Sequence, residues 1–278
     1  MTYNELEWNS KDNLNIYARY WKPEGTVKGT VCLVHGLGEH IGRYTHVGEF
    51  LSAGGYAFLA ADMRGHGKSE GQRGHTPSMD ALREDISKQV EEAQKRVPDS
   101  PIFLYGHSLG GTLVLSYCAR LHPQISGVIA TGPLLRPGFD PPGWKLTLGR
   151  MMRNLWPTMA MSNGLDQDGL SRDPQVVHAY HSDPMVHDRV SARLGIEMIE
   201  EGLWLLENAS RLRVPALLMH GSDDRLCSPQ ASREYQQKAE GRCTLKIWEG
   251  QYHEIHNEPE KDQVLQYALQ WMTGTVHP

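Results

Sequence analysis

The chain is poor in several features that mark large protein classes. Its 278 residues hold four cysteines, Cys32, Cys118, Cys227 and Cys243, and no two form a C-x-x-C pair. That is too few for a disulfide scaffold. Positive charge is not in excess: 28 Lys and Arg stand against 33 Asp and Glu, for a net charge of −5. A nucleic-acid partner is therefore not expected. No apolar run approaches the ~18–20 residues of a membrane-spanning helix. The opening residues Met1-Thr2-Tyr3-Asn4-Glu5 lack the basic and then apolar stretches of a secretory signal. The expectation is a soluble, cytoplasmic protein with reduced thiols. What is present is an ordinary globular composition, 39% hydrophobic with 28 glycines, which excludes disorder and suffices for a sizeable core.

Hydrophobic patterning changes character along the chain. Two alternating segments, 6–8 and 14–21, flank the turn-rich 9–13 and predict an antiparallel hairpin. Short continuous apolar runs follow at 30–34, 56–61, 102–105, 127–130, 216–219 and 245–248. Such runs fit strands buried on both faces of a parallel sheet. Between them, 44–53, 78–96, 109–121, 228–240 and 259–271 carry apolar residues at helical spacing. In 78–96 the stripe is Ala81, Leu82, Ile86, Val90 and Ala93, and Pro98 ends it. Strand–helix alternation predicts an α/β fold with a mostly parallel central sheet flanked by helices.

The rhythm breaks between 134 and 208, where helices at 143–156 and 191–206 appear without a convincing buried strand. Asp173-Pro174 reads as an N-cap followed by proline at the first helical position. We expect a core formed by 1–133 and 209–278, with 134–208 inserted as a helical cap over the sheet.

The strongest chemical signal is Gly106-His107-Ser108-Leu109-Gly110, placed between an apolar strand and a helix. In that context G-x-S-x-G is a strained elbow: two glycines remove side chains that would collide, and the serine hydroxyl stands above the sheet at a helix N-terminus. A serine hydroxyl is a weak nucleophile and needs a base held by a third group. After late strands, His220-Gly221-Ser222-Asp223-Asp224 offers the acid and Gly250-Gln251-Tyr252-His253 the base. The order serine, acid, histidine is that of the α/β-hydrolase fold. Spacing alone does not separate Asp223 from Asp224, or His253 from His256. Most of the fourteen histidines must be bystanders, among them His122, His178, His181 and His187. The strand ending in His35-Gly36-Leu37-Gly38 offers a loop amide, with Leu37 as donor, which together with the N–H of Leu109 would form an oxyanion hole.

Three further patterns fail. Gly67-Lys68-Ser69 resembles the end of a P-loop, but Asp62 stands where its first glycine is needed. Gly65-x-Gly67 runs on to Glu70 instead of a third glycine, so no dinucleotide fingerprint results. His253-Glu254-Ile255-His256 is not H-E-x-x-H. No cofactor and no metal are implied.

Together, His35-Gly36-Leu37-Gly38-Glu39-His40, Gly42-Arg43-Tyr44, Asp62-Met63-Arg64-Gly65-His66-Gly67, Gly106-His107-Ser108-Leu109-Gly110-Gly111, Gly221-Ser222-Asp223-Asp224-Arg225-Leu226 and Tyr252-His253 resemble the monoacylglycerol lipases of the serine α/β-hydrolase superfamily. The resemblance spans nearly the whole chain. It implies Asp224 as the acid and His253 as the base, completing a triad with Ser108. It also implies a polar pocket end near Glu39, Arg43 and His256, with His107 as a further substrate-binding candidate. Tyr180, in Tyr180-His181-Ser182-Asp183-Pro184, would lie near the glycerol moiety, and Cys227 beside the pocket. The stretch 137–168 departs most from the family pattern.

The implied reaction is hydrolysis of a monoacylglycerol to fatty acid and glycerol, with water as co-substrate. The runner-up is a carboxylesterase or lysophospholipase acting on other single-acyl esters. An epoxide hydrolase or dehalogenase would need Asp in place of Ser108, and an intact triad disfavours a non-enzymatic ligand receptor. Trp144, Leu148, Met151, Met152, Leu155, Trp156, Met159 and Met161 form an aromatic- and Met-rich stretch. It would either pack a cap helix on the domain below or line an acyl tunnel with a rim that makes peripheral membrane contact.

Overall fold

The computed structural model describes residues 3–276. The alternating N-terminal segments form strands β1 (Tyr3–Asn9) and β2 (Asn15–Trp21), paired antiparallel. The continuous apolar runs become β3 (Gly29–Val34), β4 (Tyr56–Ala61), β5 (Ile102–His107) and β6 (Gly127–Thr131). Between them lie α1 (Thr45–Ala53), α2 (Met79–Arg96) and α3 (Leu109–Leu121). The Ser78 side chain caps α2 by accepting the N–H of Ala81 at 3.1 Å.

Before the sheet resumes come α4 (Gly143–Leu155), β7 (Ala160–Ser162), α5 (Pro174–Ser182), β8 (Arg189–Ser191) and α6 (Ala192–Glu207). Asp173 caps α5, with Pro174 at its first position, as the sequence suggests. The β7–β8 ribbon is a difference from the sequence reading: each strand has three residues, too few to show an alternating pattern. The chain then closes with β9 (Ala216–Gly221), α7 (Pro229–Lys238), β10 (Cys243–Trp248) and α8 (Lys261–Val276).

The main sheet has eight strands in the order β1-β2-β4-β3-β5-β6-β9-β10, parallel from β4 onward. Side chains alternate between its faces. Cys32, Leu104, Val128 and Leu218 join the core under α2, α3 and α7, while Leu33, Phe103, Ile129 and Leu217 join the core under α1 and α8. Each fully buried Leu, Ile or Phe in such a core contributes roughly 1.5–3 kcal/mol. Parallel strands end at a common edge, so the segments after β3, β5, β6, β9 and β10 converge there. The α4–α6 segment, lying between β6 and β9, covers part of that edge. No helix among the described residues is long and apolar enough to cross a membrane.

Candidate active site

One residue separates β5 from α3. Ser108 takes φ 53° and ψ −118°, a backbone conformation that costs an L-residue about 1–3 kcal/mol. Neighbouring hydrogen bonds hold it: Ser108 N–H donates to Thr131 O at 2.9 Å, and Ser108 O accepts from Thr112 N–H and Leu134 N–H at 3.1 and 3.3 Å. The flanking glycines are steric necessities. A Cβ at Gly106 would stand 2.6 Å from Val114 Cγ2, and one at Gly110 2.5 Å from His35 O.

A cavity of about 30 Å³ opens beside this elbow. Ser108, His107 and His253 form its floor, Leu37 and Glu39 one wall, and Leu165, Leu170, Tyr180 and Leu226 the roof and far side. His253 Nδ1 lies 2.7 Å from Asp224 Oδ2, and the Asp224 side chain is fully buried. Asp224 Oδ1 accepts the N–H groups of Leu226 and Cys227 at 2.8 and 3.0 Å. Burial works against the Asp224 anion, but the two imidazoles beside it, at 253 and 220, more than offset this and hold the carboxyl far below its usual range. Burial likewise works against a charged His253, and the Asp224 carboxylate outweighs it, so the proton affinity of His253 rises. Asp223, by contrast, is exposed and accepts from Ser222 Oγ. Among the described residues, no hydrogen bond joins Ser108 to His253, and the His253 ring bonds only Asp224. Among the described residues, no acceptor meets the N–H of Leu37 or of Leu109.

The Leu37 loop is shaped from beneath. His35 Nε2 accepts the N–H of Met63 at 2.9 Å, so its other nitrogen carries the hydrogen given to Gly36 O at 2.8 Å. Glu39 Oε1 accepts from Gly36 N–H at 2.6 Å and Tyr44 O–H at 2.7 Å, while Oε2 accepts from Arg43 at 2.7 Å. Arg43 also makes a two-pronged pair with Glu254, 2.6 Å on each prong, and lies 4.7 Å from the Tyr180 ring. Burial pushes the Glu39 carboxyl up. Glu254 meets the same burial, but the Arg43 guanidinium overrides it and holds the carboxyl at about 2.

The residues expected at the polar end therefore separate into layers. Glu39, His107 and Tyr180 reach the cavity wall. Arg43 stands one layer behind, bonded to two wall carboxylates. His256 does not reach the cavity: it is wholly buried off the wall, 4.7 Å behind His107 and stacked on Tyr44 at 4.8 Å. Burial drives its proton affinity far down, as it does for His107, which falls to about 3.

Two residues escaped the sequence reading. Glu254 lies on the wall, and nothing in the sequence couples it to Arg43, 211 residues away. His220 stands four residues before Asp224 and bonds it; its place at a strand end was its only signal. The donor atoms of Asp224, Cys227 and His253 lie within 4.8 Å of one another, but the carboxylate and imidazole are spent on each other, and burial pushes the Cys227 thiol well above its ordinary value. As a metal-binding set they fit poorly.

Residues 25–260 match the family model described as serine aminopeptidase, S33. The chain belongs to this family. It is similar to a monoacylglycerol lipase of Mycolicibacterium smegmatis, 34% identical over 275 residues that cover 98% of each chain. An abhydrolase domain-containing protein of Dictyostelium discoideum is 37% identical over 272 residues, 96% of this chain but 28% of that longer one. Among solved structures, a monoacylglycerol lipase of Paleococcus ferrophilus superposes with a TM-score of 0.85 at 34% identity, covering 99% of this chain and 100% of that one. The S33 chain thus has the α/β-hydrolase fold.

Proposed function

We propose that this chain, a carboxylic ester hydrolase, cleaves monoacylglycerols to glycerol and fatty acid with Ser108 as nucleophile, His253 as base and Asp224 as its anchor. The observation that carries the reading is the 2.7 Å bond between His253 and Asp224 beside a strained Ser108, on a cavity that Ser108, His253 and Leu37 line. The names of the similar lipases support the substrate class.

With Nδ1–H given to Asp224, the unprotonated Nε2 of His253 takes the Ser108 proton as the oxygen attacks the ester carbonyl. The Ser108–His253 bond forms when substrate is seated, as such bonds commonly tighten in the complex. Charge developing on the carbonyl oxygen falls to the Leu37 and Leu109 amides, each worth ~10²–10³ in rate at comparable sites. The imidazolium then protonates glycerol as it leaves. Water, deprotonated by the same nitrogen, releases the fatty acid. Glu39 and Tyr180 present polar groups to the glycerol end, while Leu165, Leu170 and Leu226 face the acyl end.

Residues 134–208 act as a cap. A cavity of about 30 Å³ holds a water molecule or two but no acyl chain, so the cap opens before substrate enters. The apolar stretch on α4 faces outward: Trp144 is 66% exposed and Leu155 73%, and Leu148, Met151 and Trp156 are exposed with them. They do not pack on the domain below, which favours a rim that dips into a lipid surface.

Ser108→Ala tests the reading against mono-, di- and triacylglycerols, a lysophospholipid and a short p-nitrophenyl ester. Wild type should turn over the monoacyl substrate fastest and take up a fluorophosphonate. The variant should keep its circular dichroism and lose at least ~10⁴ in kcat. Retained turnover in the variant would refute the nucleophile, and a faster lysophospholipid the substrate class.

A further inference from the structure

Asp224 serves two histidines. Its Oδ2 lies 2.7 Å from His253 Nδ1 and 2.9 Å from His220 Nε2. His220 sits in β9, wholly buried and off the cavity wall. Its Nε2 is also 3.2 Å from Cys227 O. A carbonyl and a carboxylate can only accept, so this nitrogen carries the hydrogen. The opposite nitrogen, Nδ1, lies 2.8 Å from the Ser232 hydroxyl on α7, which donates to it when the ring is neutral. The bonds run in one direction: Ser232 to His220, His220 to Asp224, with His253 donating to the same oxygen from the other side.

We infer that His220 is a positioning residue for the reaction proposed above: its Nε2–H fixes the Asp224 carboxylate in one rotamer, so that Oδ2 faces His253 throughout the cycle. Oδ1 is tied by two backbone amides, but the torsion of the carboxylate is settled only when Oδ2 has a fixed partner too. His253 cannot be that partner, because its ring changes charge in each half-reaction. His220 rests on a strand and a helix and takes no part in proton transfer. It also withdraws electron density from the oxygen that His253 bonds, which moderates how tightly the imidazolium is held.

Removing the donor therefore leaves Asp224 more basic and His253 harder to deprotonate, and the acid limb of the pH profile rises. The other ionisable groups around the His253 ring stay in place: Cys227 and His107 beside it, His256 behind His107, and the Glu39–Arg43–Glu254 group across the cavity.

The test uses the full chain as His220→Gln and His220→Asn. A glutamine amide nitrogen reaches the place of Nε2, and an asparagine amide only that of Nδ1. The rate of fluorophosphonate labelling is followed from about pH 5 to 9, where His253 titrates, together with kcat and KM on monoacylglycerol micelles. The Asn variant should lose about tenfold or more in kcat and labelling rate with KM within roughly twofold, and its acid limb should rise by about half a pH unit. The Gln variant should recover most of both.

Wild-type rate and acid limb in the Asn variant, or equal losses in both variants, would overturn the inference. Should the Asn variant fail to fold, ¹⁵N-histidine spectra of the wild type decide: the Nε2–H form at 220 supports it and the Nδ1–H form refutes it. A wild type that labels at Ser108 yet leaves monoacylglycerols intact would sink the substrate reading while this one stands.

Discussion

Gly110→Ala is the sharpest perturbation available at the elbow. A Cβ at this position would fall on Val34 O and 2.5 Å from His35 O, whereas real Cβ contacts essentially never come under 3.0 Å. Both obstacles are backbone at the end of β3, so no side chain can swing aside. Relief requires the start of α3 to withdraw from β3 by about 1 Å, and a displacement of that size at a reacting centre can cost ~10² in rate. It would separate the two amides proposed for the oxyanion, since Leu109 leads α3 and Leu37 follows β3.

Overpacking of this kind also costs about 1–3 kcal/mol of stability. In a chain of this length that is about 2–4 °C in Tm for each kcal/mol. The neighbouring Gly111→Ala is the control. There a Cβ would stand 3.1 Å from Pro133 Cβ, a contact relieved by a few tenths of an ångström, and alanine is the better helix former by about 1 kcal/mol. Calorimetry and steady-state kinetics on both variants give the answer. Gly110→Ala should lose about a hundredfold in kcat and Gly111→Ala no more than a few-fold. A Gly110→Ala enzyme with wild-type kcat would refute the claim that this close approach sets the oxyanion geometry.

Two other outcomes are expected. Glu254→Leu leaves Arg43 buried with Glu39 alone, and breaking a buried pair costs about 3–5 kcal/mol, visible as a lowered Tm at neutral pH. Because Arg43 holds the Glu254 carboxyl at about 2 against an ordinary 4.5, this stabilisation is complete above pH 4.5 and lost as pH falls toward 2. The gap between wild type and variant should close over that interval in acid-unfolding curves. Replacing Trp144 and Met151 together with Asp should weaken sedimentation with phosphatidylcholine vesicles at least about tenfold, from ~1.5–3 kcal/mol per apolar side chain buried, and leave a soluble short ester unaffected. Unchanged vesicle binding would remove the membrane rim.

The sheet was legible because parallel strands buried on both faces leave unbroken apolar runs, as at 56–61. The elbow was legible for a steric reason: Gly106 and Gly110 sit where no Cβ fits. Adjacent candidates were not separable. Asp223 and Asp224 have the same chemistry, and only the turn after β9 exposes one and buries the other against His253. His256 follows His253 by three residues, yet the short helical turn at Ile255–Asn257 sends it behind His107. The Arg43–Glu254 pair joins the two ends of the chain, a closure no local pattern encodes. The β7–β8 ribbon was invisible because three residues carry no period.

The roof and the base are stitched together. Leu170 O accepts the N–H of Glu254 at 2.8 Å and Gly169 O that of His253 at 3.4 Å. Prying the chain apart near 170 would drag the imidazole from its carboxylate and idle the machine at the moment of loading. On the proposed function, a doorway for a long hydrocarbon tail is then expected at the opposite end of the insertion, along α4. That helix has no buried residue and rests chiefly on α6, through ion pairs such as Arg153–Glu200 and the contact of Gly149 with Ile196. It can swing out while the proton-handling groups stay in register.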